Sequence, residues 1–260
     1  MSDAKYTHGH HESVLRSHRW RTAENSSGYL LPYLRPGMTL LDVGCGPGTI
    51  TADLARRVAP GKVVGIDNSP EVVAQAKIEN GESNLRFLVG DLYALAADEH
   101  YDIVHAHQVL QHVPDPVGAL RSLRSAGRVV AARDSDYEAM TWHPATPELD
   151  RWLDLYRTIA RRNRGEPDAG RHLFAWAHAA GFTDITATAS AWCFATAEQR
   201  AWWGGLWADR MTSSAIADEA RADGLASDDE LRTIAAGWRA WSAEPDGWFA
   251  VLHGEIVCRS

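Results

Sequence analysis

Five short apolar runs lie between residues 39 and 132, and amphipathic stretches separate several of them. The runs are Thr39–Val43, Val63–Ile66, Leu85–Val89, Tyr101–Ala106 and Arg128–Ala132. Runs of this length bounded by glycine or turn residues read as buried strands. The stretches between them carry helix signals. Leu54, Ala55 and Val58 share a helical face that ends at Pro60-Gly61. Ser69-Pro70-Glu71 is an N-cap, a first-turn proline and a first-turn acid, and Asn80-Gly81 is a stop. Asp115-Pro116 opens another helix through Leu120 and Leu123. Strand and helix in alternation predict an α/β fold, a parallel sheet with helices on both faces. Ligands of such sheets sit outside the carboxyl ends of the strands, so function is expected in the residues just after each run.

The second half has a different character. Thr146-Pro147 starts a helix with Leu149, Trp152, Leu153, Tyr156 and Ile159 on its apolar positions, and Arg171 to Ala180 reads as another. Ile185–Phe194 and Trp248–Cys258 read as strands. Between them, Thr196-Ala-Glu-Gln199 and Ser227-Asp-Asp-Glu230 fit capping boxes. The expected division is an N-terminal helical lid (1–36), an α/β core (37–135), cap helices (136–181) and a final hairpin (182–260) with a helical insertion at about 196–245. Ten of the eleven tryptophans lie from Trp142 onward, so the two halves are expected to have different jobs. Most of those tryptophans are expected to pack helices onto the core, with two or three reaching a substrate.

Composition narrows the function classes. A formal net charge of −8 disfavours bulk-electrostatic binding to nucleic acid. No segment approaches the ~20 apolar residues of a membrane span. The three cysteines (Cys45, Cys193 and Cys258) form no CxxC pair, and no apolar leader precedes the core; a reducing cytoplasm is the expected compartment. His8, His10 and His11 lack a further ligand at metal-binding spacing, so no metal is expected.

The most informative stretch is Asp42-Val-Gly44-Cys-Gly46-Pro-Gly48-Thr49. Glycines at alternate positions let the backbone turn sharply and approach a ligand, and the helix that follows presents free N–H groups there. In the dinucleotide fingerprint G-x-G-x-x-G, the third glycine would stand where this chain has Thr49. Asp42 suits a ligand ammonium group, which favours an amino-acid-like ligand over NAD. Asp67 ends the second run and suits a pair of ribose hydroxyls. Asp91 ends the third and suits an exocyclic amine of adenine, with Leu92 against the ring.

These residues resemble the class I S-adenosylmethionine-dependent methyltransferases of the small-molecule type. The resemblance rests on Leu41–Thr49, Gly65-Ile-Asp67, Gly90-Asp-Leu92 and His107-Gln-Val-Leu-Gln-His112-Val-Pro-Asp115-Pro116. It implies a Rossmann-like seven-stranded sheet with the last strand antiparallel, a helical lid, and S-adenosyl-L-methionine as cofactor. It also implies that Gly44, Gly46 and Gly48 line the methionine moiety above Asp42. Asp67, with Asn68 beside it, would hold the ribose, Asp91 and Leu92 the adenine, and Gln108 the sulfonium end through its backbone. Many relatives carry Pro-Gly-Gly before strand five; here Leu123-Arg-Ser-Ala-Gly127 stands instead, and an altered turn is expected.

The expected reaction is in-line methyl transfer to the oxygen, nitrogen or carbon of a small, apolar or aromatic metabolite. A hydroxyl or amine acceptor needs a base, and His107, His112 and His143 are the candidates by position. Tyr6, His8 and Arg16 are candidate lid residues against the substrate, and Trp142 and Trp203 candidate wall residues. Arg133 suits an anionic substrate or, equally, an internal ion pair with Asp134 or Asp136. The competing readings are a non-catalytic S-adenosylmethionine-binding protein and an NAD(P)-linked oxidoreductase. Monomer and homodimer both fit the sequence.

Overall fold

A computed structural model describes residues 20–95 and 100–259. A four-residue helix, α1 (Ala23–Ser26), is capped by Thr22, whose hydroxyl accepts from the Asn25 amide while Asn25 returns the bond. The alternating core follows as β1 (Leu40–Val43), α2 (Thr49–Val58), β2 (Val63–Asp67), α3 (Pro70–Glu79), β3 (Leu85–Val89), β4 (Tyr101–His107), α4 (Pro116–Ala126) and β5 (Gly127–Ser135). Then come β6 (Thr141–His143), α5 (Pro147–Arg162), α6 (Leu173–Ala179), β7 (Asp184–Phe194), α7 (Ala197–Ser213), α8 (Ala215–Ala222), α9 (Asp228–Ala243) and β8 (Trp248–Arg259).

The first five strands are parallel and lie in the order β3-β2-β1-β4-β5. β8 runs antiparallel beside β5, and β7 runs antiparallel beside β8. These seven strands are the ones expected. The eighth, β6, is not visible as a strand in the sequence because three residues carry no alternation. Its cause is geometric. β5 pairs with His253–Arg259 only, and β6 pairs with Trp248–Ala250, covering the stretch of β8 beyond the end of β5.

Alternation along the strands feeds two cores. Leu40, Ile103, Ala131 and Val257 face α2 through Leu54, Ala55 and Val58. Leu41, Val43, Val104, Val130 and Ile256 face α4 and α6 through Leu120, Leu123, Leu173 and Ala177. The turn before strand five is altered by disappearing: α4 runs to Ala126 and β5 starts at Gly127. A Cβ on Gly127 would lie 2.5 Å from Val104 Cγ2, so only glycine allows this abrupt junction.

A third core is aromatic. Trp152, Trp207, Trp238 and Trp241 are fully buried and, with Phe249 of β8, join α5, α7 and α9 to the sheet. Trp152 meets Trp207 edge-on at 4.5 Å and Trp238 at 4.9 Å. The capping box expected at Thr196 forms on α7, whereas Ser227 caps α9 through its hydroxyl alone and the Glu230 carboxylate accepts from Arg151 instead of closing the box. The helix expected over Arg171–Ala180 is shorter. It is a 3-10 turn followed by α6, and Arg171 turns out of it to clasp Asp136 at 2.6 Å.

Candidate active site

A cavity of about 770 Å³ opens at the carboxyl ends of β1, β2, β3 and β4. That size is within the ~300–1,000 Å³ usual for ligand sites. One half of it is built by strand ends. At the end of β1 the chain turns through three positive-φ glycines, Gly44 (+68°), Gly46 (+55°) and Gly48 (+82°). The Cys45 amide donates to the Ile66 carbonyl, and the Gly46 amide donates to Asp67 Oδ2 at 3.1 Å. Asp67 Oδ1 accepts from the Ser69 amide, so one carboxylate ties the turn to the start of α3. Each oxygen keeps a second lone pair, and Asp67 lines the cavity. Asn68 lies beside it in the wall. Asp91 accepts from the Tyr93 amide, capping a short 3-10 turn that brings Leu92 into the cavity wall, which Ile66 also lines.

Gly44 and Gly46 line this half, whereas Gly48 does not. Gly48 is the left-handed N-cap of α2, packed against Phe87 and Asn80 behind the turn. Its freedom is needed for folding: an added Cβ would fall on the Phe87 ring. Gly48→Ala should therefore cost about 1–3 kcal/mol of stability in urea unfolding, while the folded fraction keeps its ligand affinity.

Asp42 lies under the turn, 3% exposed. Its Oδ2 accepts from Thr51 Oγ1 at 2.5 Å, and its Oδ1 is 2.7 Å from His105 Nδ1. His105 Nε2 meets the Ser27 hydroxyl at 3.0 Å. The chain Ser27–His105–Asp42–Thr51 thus anchors β1, β4, α2 and the N-terminal segment beneath the cavity floor. The sequence singled out Asp42 but not His105. In sequence, His105 reads as one more residue inside a strand.

Gln108, just past β4, has φ +53°, a strained value for a side-chain-bearing residue. Its amide donates to the Arg133 carbonyl at 2.7 Å, which holds the backbone in place at the cavity wall.

The other half is aromatic. Trp20, Trp192, Trp202, Trp203 and Trp207 line it, four of them from the tryptophan-rich second half. Trp192 is fixed by its indole N–H, which donates to the Asn25 carbonyl at 2.6 Å. His107 and His112 are in the same wall. Neither ring nitrogen of His107 has a partner. Burial, then the Arg133 and Arg21 charges, hold its pKa well below the usual histidine range. Burial, then Arg21, pushes His112 down to about 3. Both imidazoles are neutral at pH 7. Arg21 and Arg210 also line this half, and neither was singled out in the sequence.

Four expected site residues are elsewhere. His143 is exposed on β6, away from the cavity, and uses its carbonyl to accept from Trp241. Trp142 stacks on Phe249 at 5.6 Å within the aromatic core. Arg133 belongs to β5 and points to the sheet face under α1, where it pairs with Glu255 at 3.2 Å, not with Asp134 or Asp136. Gly48 is the fourth. Tyr6, His8 and Arg16, and the His8–His11 cluster, lie outside the described residues.

The cavity suits S-adenosylmethionine. Glycine backbone, carboxylates suited to hydroxyls and an amine, and the apolar side chains of Ile66 and Leu92 all line its strand-end half. A Cβ on Gly44 would already meet Val109 Cγ2 at 2.5 Å, so the floor there has no room to spare.

The comparisons with known proteins agree. Residues 34–164 match the methyltransferase domain family. An uncharacterized methyltransferase of Schizosaccharomyces pombe is 35% identical over 97% of this chain and 95% of its own. Among solved structures, the YcgJ protein of Bacillus subtilis superposes with a TM-score of 0.58 at 19% identity, over 91% of this chain and 98% of that one. A coclaurine N-methyltransferase solved with S-adenosylhomocysteine superposes with a TM-score of 0.51 at 14% identity, over 95% of this chain and 72% of that one. This chain belongs to the class I S-adenosylmethionine-dependent methyltransferases. It is an enzyme of that class, with S-adenosylmethionine as its cofactor.

Proposed function

We propose that this enzyme methylates a small apolar or aromatic metabolite enclosed between the strand ends and the helical cap. The observation that carries the reading is the continuity of one cavity from the glycine turn and Asp67 to the tryptophan wall of β7 and α7. When bound, S-adenosylmethionine supplies a sulfonium methyl group: the acceptor's lone pair forms the new bond to carbon, the carbon–sulfur bond breaks, and its electron pair stays on sulfur. The donor is already activated, so the protein's contribution is orientation and exclusion of water. Gly44, Gly46 and Asp42 cradle the methionine moiety, Asp67 and Asn68 the ribose, Asp91 and Leu92 the adenine. Gln108 fixes the backbone at the reacting end. The tryptophans close the acceptor into an apolar space where a water nucleophile is excluded. His107 and His112 orient the acceptor; their lowered basicity makes them weak proton acceptors.

Among the described residues no helix is long and apolar enough to cross a membrane. The three thiols are unbridged, and a reducing cytoplasm is the compartment we infer, with either a monomer or a homodimer as the working form.

Titration calorimetry with S-adenosylhomocysteine, and NADH as the control, tests the donor site. Binding of the first alone is expected; binding of NADH instead would sink the reading. Asp67→Ala should weaken S-adenosylhomocysteine by ~1.5–3 kcal/mol, the weight of a charge-assisted hydrogen bond. Unchanged affinity in a folded variant would remove Asp67 from the ribose site. Turnover of an aromatic acceptor, read as S-adenosylhomocysteine released, separates an enzyme from a binding protein of the same fold.

A further inference from the structure

A second cavity, of about 600 Å³, is lined by α1 and by residues of β5, β7 and β8. Among the described residues it shares only Trp20 and Trp192 with the first cavity. Its wall holds the buried pair Arg133 and Glu255, with Thr188 and Ser190. Both carboxylate oxygens are matched. Oε1 accepts from Arg133 Nε at 3.2 Å and from the Ser190 hydroxyl, and Oε2 accepts from Thr188 Oγ1 at 2.7 Å. Ser190 Oγ accepts from Arg133 Nε at 3.3 Å and from Nη2 at 3.1 Å. Arg133 Nη1 is the exception in this cluster: it is buried and has no partner. A buried guanidinium N–H without an acceptor is costly to keep. The Tyr29 hydroxyl, in the same wall, is also buried and unpartnered, and after burial the Arg133 charge is the strongest influence on it.

We propose that this cavity is a second ligand site, separate from methyl transfer, and that it takes a small neutral molecule whose carbonyl oxygen accepts from Arg133 Nη1. The unmatched atom is a donor, so the ligand must bring an acceptor. Its charge follows from the neighbour. Glu255 already balances the guanidinium at 3.2 Å, and a carboxylate ligand would bury a second negative charge beside the first. A cation would face the guanidinium itself. A ketone or ester carbonyl brings two lone pairs and no N–H or O–H of its own to satisfy. The Tyr29 hydroxyl is a further donor in the same wall. The rings of Tyr33 and Trp192 also line the cavity, which suits a flat, apolar body behind the carbonyl.

The test titrates the full-length protein at neutral pH with three probes of one shape: acetophenone, isopropenylbenzene, which has a methylene in place of the oxygen, and benzoate. Acetophenone should bind about tenfold or more tighter than isopropenylbenzene, the weight of one hydrogen bond from a charged donor. Benzoate should bind more weakly than acetophenone. In Arg133→Met with Glu255→Leu, acetophenone should fall to the level of isopropenylbenzene. A crystal soaked with para-bromoacetophenone locates the probe, and the anomalous peak of bromine is expected beside Arg133. Equal binding of the ketone and the alkene, tighter binding of benzoate, no binding of the ketone, or a preference that survives the double variant would overturn the proposal. So would a bromine peak confined to the tryptophan-walled cavity. If the double variant does not fold, the wild-type series and the bromine position still decide the matter.

Discussion

Glu255→Ala should destabilise the protein by about 3–5 kcal/mol, the range for removing one partner of a buried ion pair. Arg133 and Glu255 stand opposite each other on β5 and β8, 1% and 5% exposed. Glu255 Oε1 accepts from Arg133 Nε at 3.2 Å, and Oε2 accepts from Thr188 Oγ1 at 2.7 Å. Ser190 Oγ accepts from Arg133 Nη2 at 3.1 Å and donates to Glu255. Burial has already pulled the Arg133 pKa down to about 10 against the pull of Glu255, so the guanidinium is strained for solvation even with its partner. Without Glu255 it is a buried charge facing two hydroxyls. The loss should appear as a lower urea midpoint with little change in slope. Arg133→Met with Glu255→Leu should cost less than Glu255→Ala alone, because the pair then vanishes together. A single variant within 1 kcal/mol of wild type would mean that water reaches this cluster.

The parallel core was readable because its signals are local. Ser69-Pro70, Asp115-Pro116 and the glycine turn each mark a boundary within a few residues, and the five strands fall where their apolar runs stand. β6 was not readable, since its only cause is an edge left open by β8, more than a hundred residues away in sequence. The wall around the donor half was readable for a related reason. A strand end in a parallel sheet faces the ligand crevice, so position alone put Asp67, Asp91 and Gln108 in the cavity wall. Gly48 failed the same reasoning because its side of the turn meets Phe87. Arg133 failed because β5 continues past Ala132. One more residue of strand decides which face a side chain takes. Arg21 and Arg210 come from segments whose approach to the cavity depends on how the cap folds over it, and no local pattern encodes that.

Asp134→Asn should raise stability at high pH and leave it nearly unchanged at low pH. Asp134 follows Arg133 on β5 and points to the opposite face, fully buried. Its Oδ1 accepts from the Gln111 amide at 3.1 Å, which pins the loop carrying His112, while Oδ2 has no partner. Burial outweighs the amide bonds and the Arg133 charge, and raises its pKa from the ordinary carboxylate value to about 7. The folded protein therefore holds a proton that the unfolded chain releases near pH 4. Stability from this group is complete below the unfolded pKa and falls as pH rises, by up to ~1.4 kcal/mol per unit, until the folded pKa is passed. Over that window the fall approaches about 4 kcal/mol. Asparagine keeps the oxygen for Gln111 and cannot ionise, so its stability lacks this slope. Urea midpoints of the two proteins across pH 4 to 8 should diverge as pH rises, with the variant the more stable. Parallel curves would mean that Asp134 is ionised in the fold throughout, held by Arg133 across the strand.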